Sequence, residues 1–340
     1  MYLLKQFIFR HIPFVLMEYL LRNKPLSLKI ETINVCNARC KFCAYGKMTR
    51  SPAVMSMQMF EDIVRQYNDM GGGSLSLTPV VGEMLLDPNL MDRFRVLAKY
   101  PAIKQISFVT NLISHEKFSD DDWNFILART SAIQVSIGGG GRDRYKEMFG
   151  VDAWMKVQDG LERLVRLKQD GKCDIDLHLA FRFLSNNNAS EFEQEISKYR
   201  ALGYYVSSIN TYANWSGVIV AENIGPGYRM GHCGLKNRSC GMCKWYLGVL
   251  SNGTVTSCSC VDYDGQGLSL GYVADHALYD LWRGDRRRQI CDSFAKMSPP
   301  SFCRNCTFYS TDHSHVSWGL AYGILRGRIP WAYYHTRLGG

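Results

Sequence analysis

The sequence has no run of five or more like charges, no low-complexity tract, no internal repeat of fixed period and no uninterrupted apolar stretch of the ~20 residues a membrane span needs. Charged tails, solenoids and spanning helices are thereby excluded. The first 22 residues, MYLLKQFIFRHIPFVLMEYLLR, come nearest to a span or export signal, but Lys5, Arg10, His11 and Glu18 break the apolar stretch and no small-residue cleavage site follows. What remains is an amphipathic helix that Pro13 kinks or restarts, packed on the body of the protein or laid against a membrane surface. Cysteine, at 12 in 340 residues, is too thin for a disulfide scaffold yet high for a reduced enzyme. The cysteines cluster in two places with Cys173 alone between them, so metal chemistry is the first expectation.

With 46% hydrophobic and 21% charged residues the chain has enough apolar area for a core without staples, arranged as one large domain plus a smaller one. The formal charge of +9 is uneven. Residues 1–50 carry nine Lys/Arg against two Asp/Glu, and residues 281–340 nine against three. Such ends suit nucleic acid, a membrane surface or an anionic small molecule, or are ordinary solvated surface.

From about residue 26 the chain alternates between two periods. Residues 28–33, 74–77, 106–110, 133–137, 175–183 and 206–209 read as strands, and 56–70 (capped by Ser56), 88–99, 120–129, 153–169 and 190–202 as helices. Gly138 to Gly141 reads as a loop. The fold class is therefore α/β, a partial (β/α)6 parallel barrel whose active site lies in loops at the carboxyl ends of the strands. The alternation stops near residue 215, where a Gly- and Cys-rich stretch with hairpin signals begins. The expected organisation is an N-terminal helix (1–26), the barrel (27–214), a small β-hairpin/helix domain (215–310) and an aromatic and basic extension (311–340).

Cys36, Cys40 and Cys43 stand within eight residues directly after the first strand. A closed structural zinc site takes four ligands, whereas three thiolates on a four-iron cluster leave one iron open to an outside ligand. This CxxxCxxC spacing, with Phe42 before the third cysteine, resembles the motif of radical S-adenosylmethionine (SAM) enzymes. The resemblance implies a [4Fe-4S] cluster whose open iron is chelated by SAM, reductive cleavage of the sulfonium, and a 5′-deoxyadenosyl radical that takes hydrogen from a substrate. It further implies cofactor contacts from Phe42, from Gly82 and Glu83 (Val81 replacing the first glycine of the family's Gly-Gly-Glu), from Asn111 and Ser136 at strand ends, and from Arg182. Strand-end caps and a solvated arginine are the plainer readings of these residues.

The later cysteines are Cys233, Cys240, Cys243, Cys258, Cys260, Cys291, Cys303 and Cys306. Cys243, Gly253 and Cys258 resemble the opening of twitch and SPASM domains, and Asn252-Gly253 is a hairpin signal. No cysteine follows Cys306, so the resemblance implies the shorter twitch form with one auxiliary [4Fe-4S] cluster on Cys243, Cys258, Cys303 and Cys306. Cys240 competes for the first place, and structural zinc is the alternative. Cys233 and Cys240 are candidate catalytic thiols that return a hydrogen atom to a substrate radical, or are themselves ligands.

The resemblance permits oxidation, epimerisation or bond formation. The leading expectation is an oxidoreductase or epimerase acting on a polar, anionic sugar- or aminocyclitol-like molecule, with Tyr212, Trp215, Tyr228, Trp331 and Tyr334 as stacking surfaces or core. Arg283, Arg286, Arg287, Arg288, Arg326 and Arg328 are candidate anion ligands. The alternatives are a peptide-modifying enzyme, against which the roughly 26 residues before the first strand count, and a non-catalytic cluster protein that binds RNA or a partner. A flavodoxin or ferredoxin as reductant, no nucleic acid, and a reducing cytoplasm complete the expectation.

Overall fold

The structure, a computed structural model, describes residues 12–183, 189–224, 227, 229–315, 317, 320 and 323–324. Six strands succeed one another in the chain: β1 (Ser27–Ile30), β2 (Gly73–Ser76), β3 (Ile103–Thr110), β4 (Ala132–Gly138), β5 (Asp176–Arg182) and β6 (Tyr205–Ile209). Each pairs in parallel with the next. Helix α1 (residues 12–20) leads in, and the crossovers are α2 (Met57–Asp69), α3 (Leu90–Leu97), α4 (Asp120–Leu127), α5 (Gly141–Phe149) with α6 (Trp154–Asp170), and α7 (Glu193–Ala201). This is the expected α/β architecture, a parallel sheet with helical crossovers as in a partial barrel.

Local chemistry sets several boundaries. Ser56 accepts from the Met59 amide and starts α2, and Ser119 with Asp122 forms a reciprocal capping box on α4. The glycine run departs from expectation: Gly138 closes β4 and Gly141 opens α5. The run makes a sharp turn, with φ +90° at Gly140 and +83° at Gly141, and masks a short helix that buries Tyr145, Met148 and Phe149.

The sheet has two unlike faces. Leu28, Ile30, Leu75, Ile106, Phe108, Ile133, Val135, Leu177 and Leu179 are buried in the main core, together with Phe60, Ile63 and Val64 of α2 and Leu161 and Leu164 of α6. The alternate positions are small or polar. Lys29 pairs with Ser76, and Ser76 with Ser107, so the three stand in one row across β1, β2 and β3. Barrel interiors are ordinarily filled by bulky branched side chains. Here serines and other polar residues stand in many of those places, and the lumen stays open.

Beyond β6 come a short parallel pair, β7 (Thr211–Tyr212) and β8 (Arg229–Met230), and helix α8 (Ala221–Ile224) between them. Helix α9 (Gly241–Trp245) then leads into the hairpin of β9 (Tyr246–Val249) and β10 (Thr254–Thr256), turned at Gly253 with φ +87°. β11 (Ser269–Tyr272) follows, then α10 (Leu278–Arg283), α11 (Asp285–Ala295) and α12 (Ser301–Arg304). β9 pairs in parallel with the free side of β1, giving one nine-stranded sheet in the order β11-β10-β9-β1-β2-β3-β4-β5-β6. Met17 and Leu21, from α1 and the turn after it, are buried in a second core with Trp245, Ile290, Phe294 and six cysteines, so this helix packs on the body while Ile12, Val15 and Tyr19 stay exposed. No described helix is long and apolar enough to cross a membrane.

Candidate active site

The loop after β1 is held from several sides. The Arg39 and Lys41 amides donate to the carbonyls of Phe149 (2.8 Å) and Met148 (3.0 Å) at the end of α5. Gly150, at φ +65°, lets the two chains approach: a Cβ there would stand 2.7 Å from the Arg39 carbonyl oxygen. Within the loop the amides of Ala38 and Tyr45 point at the sulfurs of Cys36 (3.5 Å) and Cys43 (3.4 Å). From the far side, Trp215 Nε1 donates to the Phe42 carbonyl (2.9 Å).

Cys36, Phe42, Cys40, Cys43, Gly82, Glu83, Asn111, Ser136 and Arg182 all line one cavity of about 690 Å³, within the range of small-molecule sites. Residues spread over five strands and their loops thus meet at the carboxyl end of the sheet. Gly82 sits at φ +139°, where a Cβ would come within 2.6 Å of the Ile33 carbonyl oxygen, so only glycine fits. Glu83 is buried; it accepts from the Leu85 amide (3.1 Å), Thr110 Oγ1 (2.7 Å) and the Asn111 amide (2.7 Å). Burial pushes its carboxyl above the ordinary range against these donors. Three of about four acceptor positions are thus taken inside the protein, leaving one toward the cavity. Arg182 donates to Ser136 Oγ (3.0 Å), lies over the Phe42 ring (4.8 Å) and faces Cys40 and Cys43 electrostatically.

A buried staple fixes this rim. Glu31, at the end of β1, accepts from Arg50 Nη1 (2.6 Å), from the Val80 and Val81 amides (3.1 and 3.3 Å), and from the Ser251 amide and hydroxyl (3.2 and 3.0 Å). One carboxylate thereby ties the end of the cysteine loop, the Val81-Gly82-Glu83 loop and the hairpin that follows β9.

The second set of thiols lies apart from the cavity. Cys240, Cys243, Cys258, Cys303 and Cys306 are buried together in the second core with Cys291. Cys240 and Cys243 hydrogen-bond to one another, which makes the first easier to ionise and the second harder. Cys240 is the thiol felt by Cys243, Cys258, Cys303 and Cys306 alike. Among the described residues no three Cys, His, Asp or Glu side chains close on the point a single ion would fill. Cys243 lies on α9 and Cys258 just beyond β10, rather than on the hairpin strands themselves. Neither expected hydrogen-donating thiol reaches the cavity: Cys240 is among these buried thiols, and exposed Cys233 donates to the Arg304 carbonyl (3.0 Å) and accepts from Lys236 Nζ (2.8 Å). The additional thiol in the cavity wall is Cys260.

The model of the radical SAM superfamily matches residues 30–179, and that of the SPASM iron-sulfur cluster-binding domain matches residues 240–307. The chain is a radical SAM enzyme. Among curated proteins, this radical SAM enzyme is 27% identical over 140 residues to a probable GTP 3′,8-cyclase of Sulfurisphaera tokodaii and 26% identical over 145 residues to a GTP 3′,8-cyclase of Alkaliphilus metalliredigens. In each case the match covers 41% of this chain and 43% of the relative, so the chain spans under half of the relatives it matches. Among solved structures it is similar in fold to BtrN in complex with AdoMet and 2-DOIA (TM-score 0.53, 16% identity, 84% of this chain and 94% of that one). SuiB of Streptococcus suis bound to its precursor peptide SuiA gives 0.59 at 15% identity, covering 85% and 72%, and anSMEcpe with bound AdoMet gives 0.56 at 16%, covering 92% and 98%.

Radical SAM enzymes work with a [4Fe-4S] cluster and SAM, and the SPASM match adds auxiliary iron-sulfur binding. The donor set fits. Burial pushes the Cys36 thiol up to about 12 and raises Cys40 and Cys43 as well, so these thiols give up their protons to a bound cation rather than to solvent. The buried thiols Cys258, Cys303 and Cys306 are raised by burial in the same way.

Among the described C-terminal arginines, none lines the radical SAM cavity. Arg283 bonds Asn23 Oδ1, Arg287 lies over Trp282 and bonds the Lys244 carbonyl, Arg288 pairs with Asp285, and none of these or Arg286 lines it. Of the expected aromatic surfaces Tyr212 and Trp215 line the cavity, while Tyr228, Trp331, Tyr334, Arg326 and Arg328 lie outside the described residues. Sequence reasoning missed Lys29, Arg229 and Cys260 of the lining and the Glu31–Arg50 pair. The alternation Ser27-Leu28-Lys29-Ile30-Glu31 did signal a strand with a polar face, which reads as solvent until the sheet closes around it.

Proposed function

We propose that the enzyme binds a polar, anionic small molecule in the lumen and oxidises or epimerises it. The charge of the cavity carries this reading. Its wall holds Lys29, Arg182 and Arg229, while its acidic residue, Glu83, is turned to donors of its own. Arg182, beside Cys40 and Cys43, suits the carboxylate of SAM, which leaves Lys29 and Arg229 for the substrate. The Lys29 ammonium has no hydrogen-bond partner among the described residues, and Ser76, Ser107 and Gln134 of the same wall offer partners for hydroxyl groups.

Cys36, Cys40 and Cys43 hold the cluster in this reading, and Cys258, Cys303 and Cys306 hold the auxiliary one with Cys240 or Cys243. When bound, the cluster and SAM supply a reducing electron and a hydrogen-abstracting radical. The protein aims that chemistry and keeps water out. Its low-potential electron donor is of the flavodoxin or ferredoxin class. Cys260 stands in the wall near Lys29, and burial holds its thiol protonated. It is placed to give a hydrogen atom to a carbon centre in the lumen: the S–H bond breaks, a C–H bond forms, and one electron and one proton restore the thiol.

The test is 5′-deoxyadenosine release by reconstituted enzyme with panels of carboxylated or phosphorylated polyols and their neutral analogues. Acceptance of neutral analogues as readily as anionic ones would overturn the reading. Lys29→Met should raise KM for the anionic substrate about 10- to 100-fold, the loss of one charge-assisted hydrogen bond worth about 1.5–3 kcal/mol. Cys260→Ala should still cleave SAM but fail to install solvent deuterium if the product is an epimer. Unaltered deuterium incorporation removes Cys260 from the reaction and assigns the hydrogen to another donor, whereas a product of the parent enzyme without solvent deuterium leaves oxidation. Peptide modification is the second reading, favoured by the apolar wall of Ile209, Tyr212, Trp215 and Phe308, and turnover of a peptide in the same assay would select it.

A further inference from the structure

Tyr145, on α5, is fully buried, and its hydroxyl has no hydrogen-bond partner among the described residues. A buried O–H without an acceptor is costly, so its retention calls for a partner. The ring is fixed: it stacks on Phe149 at 4.6 Å and 6°, and Phe149 meets Phe42 edge-on at 5.5 Å. The same helix end carries the carbonyls that hold the Arg39 and Lys41 amides, so Tyr145 is placed rigidly against the cysteine loop. Cys40 is the first of the charged groups its hydroxyl feels, followed by Glu83 and Cys36.

The three sulfurs are unequally served. Cys36 has the Ala38 amide at 3.5 Å and Asn111 Nδ2 at 3.8 Å, and Cys43 has the Tyr45 amide at 3.4 Å. Among the described residues Cys40 has no donor beyond its own backbone amide. A donor without an acceptor thus stands on the helix whose end binds the amides on both sides of Cys40, the sulfur with the fewest donors.

We propose that the Tyr145 hydroxyl donates a hydrogen bond to sulfur at the Cys40 corner of the radical SAM cluster and thereby raises its reduction potential. Donors to sulfur favour the more negative, reduced state. Tyr145 is on this account a positioning residue that tunes how readily the site accepts an electron. The inference rests on Cys36, Cys40 and Cys43 being the cluster ligands.

The test is an EPR-monitored redox titration of reconstituted full-length enzyme, following the signal that SAM perturbs. Tyr145→Phe keeps the stacked ring and should move the midpoint to a more negative value with iron content unchanged. Tyr145→3-fluorotyrosine, a stronger donor of nearly the same shape, should move it the other way. An unshifted midpoint in both, or shifts of the same sign, overturns the proposal. Failure of the underlying ligand reading looks different: iron content and the SAM-sensitive signal would survive in Cys40→Ala.

Discussion

Glu31→Gln is expected to lower the free energy of unfolding by about 3–5 kcal/mol, the range for breaking a buried ion pair on one side only. The change is nearly isosteric, so the loss comes from hydrogen bonding rather than packing. One oxygen of Glu31 accepts from two backbone amides, Val80 and Val81, and the other from Arg50 and from both donors of Ser251. Whichever way a glutamine amide is turned, its NH2 group meets donors. The Arg50 guanidinium, 7% exposed, is left without its counter-charge. Thermal and urea unfolding give the stability, and binding of SAM should weaken in parallel because the Val81-Gly82-Glu83 loop loses its anchor. The double variant Glu31→Gln, Arg50→Met should lose less than the two single changes added together. Unfolding midpoints equal to those of the parent would show that this carboxylate is not what holds the rim.

The second large loss is chemical. Any of Cys36→Ala, Cys40→Ala and Cys43→Ala should cut iron per reconstituted chain from about eight to about four, and take 5′-deoxyadenosine release to the level seen without enzyme. Cys258→Ala should also lose iron while keeping much of that release, because its thiol lies in the second core rather than at the cavity. The pair of outcomes separates the two thiol sets by function. Equal loss of cofactor cleavage in both variants would mean that the sets act as one unit.

What the amino-acid order discloses and what it conceals divides along sequence separation. The cysteine loop, the Gly82-Glu83 turn and Asn111, Ser136 and Arg182 were legible because each lies at the end of a strand that its own neighbours define. Helix α5 was hidden because three glycines precede it, a fourth opens it, and its apolar triad occupies barely two turns. Glu31 and Arg50 carry no local mark of their pairing, and Ser251 joins them from more than 200 residues away. Cys260 was indistinguishable from its cysteine neighbours until the wall of the cavity was traced. Arg283, Arg287 and Arg288 read as anion ligands because a basic stretch is visible in sequence while their amide, carbonyl and carboxylate partners are not.

The position of β1 has a consequence for how the molecule can be cut or can move. It is an interior strand, bonded to β2 on one side and to β9 on the other. A truncation that stops before residue 240 would bare one edge of β1 and strip Ser251 from the Glu31 carboxylate, inviting edge-to-edge aggregation rather than yielding a minimal enzyme. The same bonding removes any hinge between the two groups of cysteines. Their separation is set residue by residue, Ser27 against Tyr246 through Ile30 against Val249, so an electron passing between metal centres held there crosses a fixed gap instead of waiting on a domain to swing.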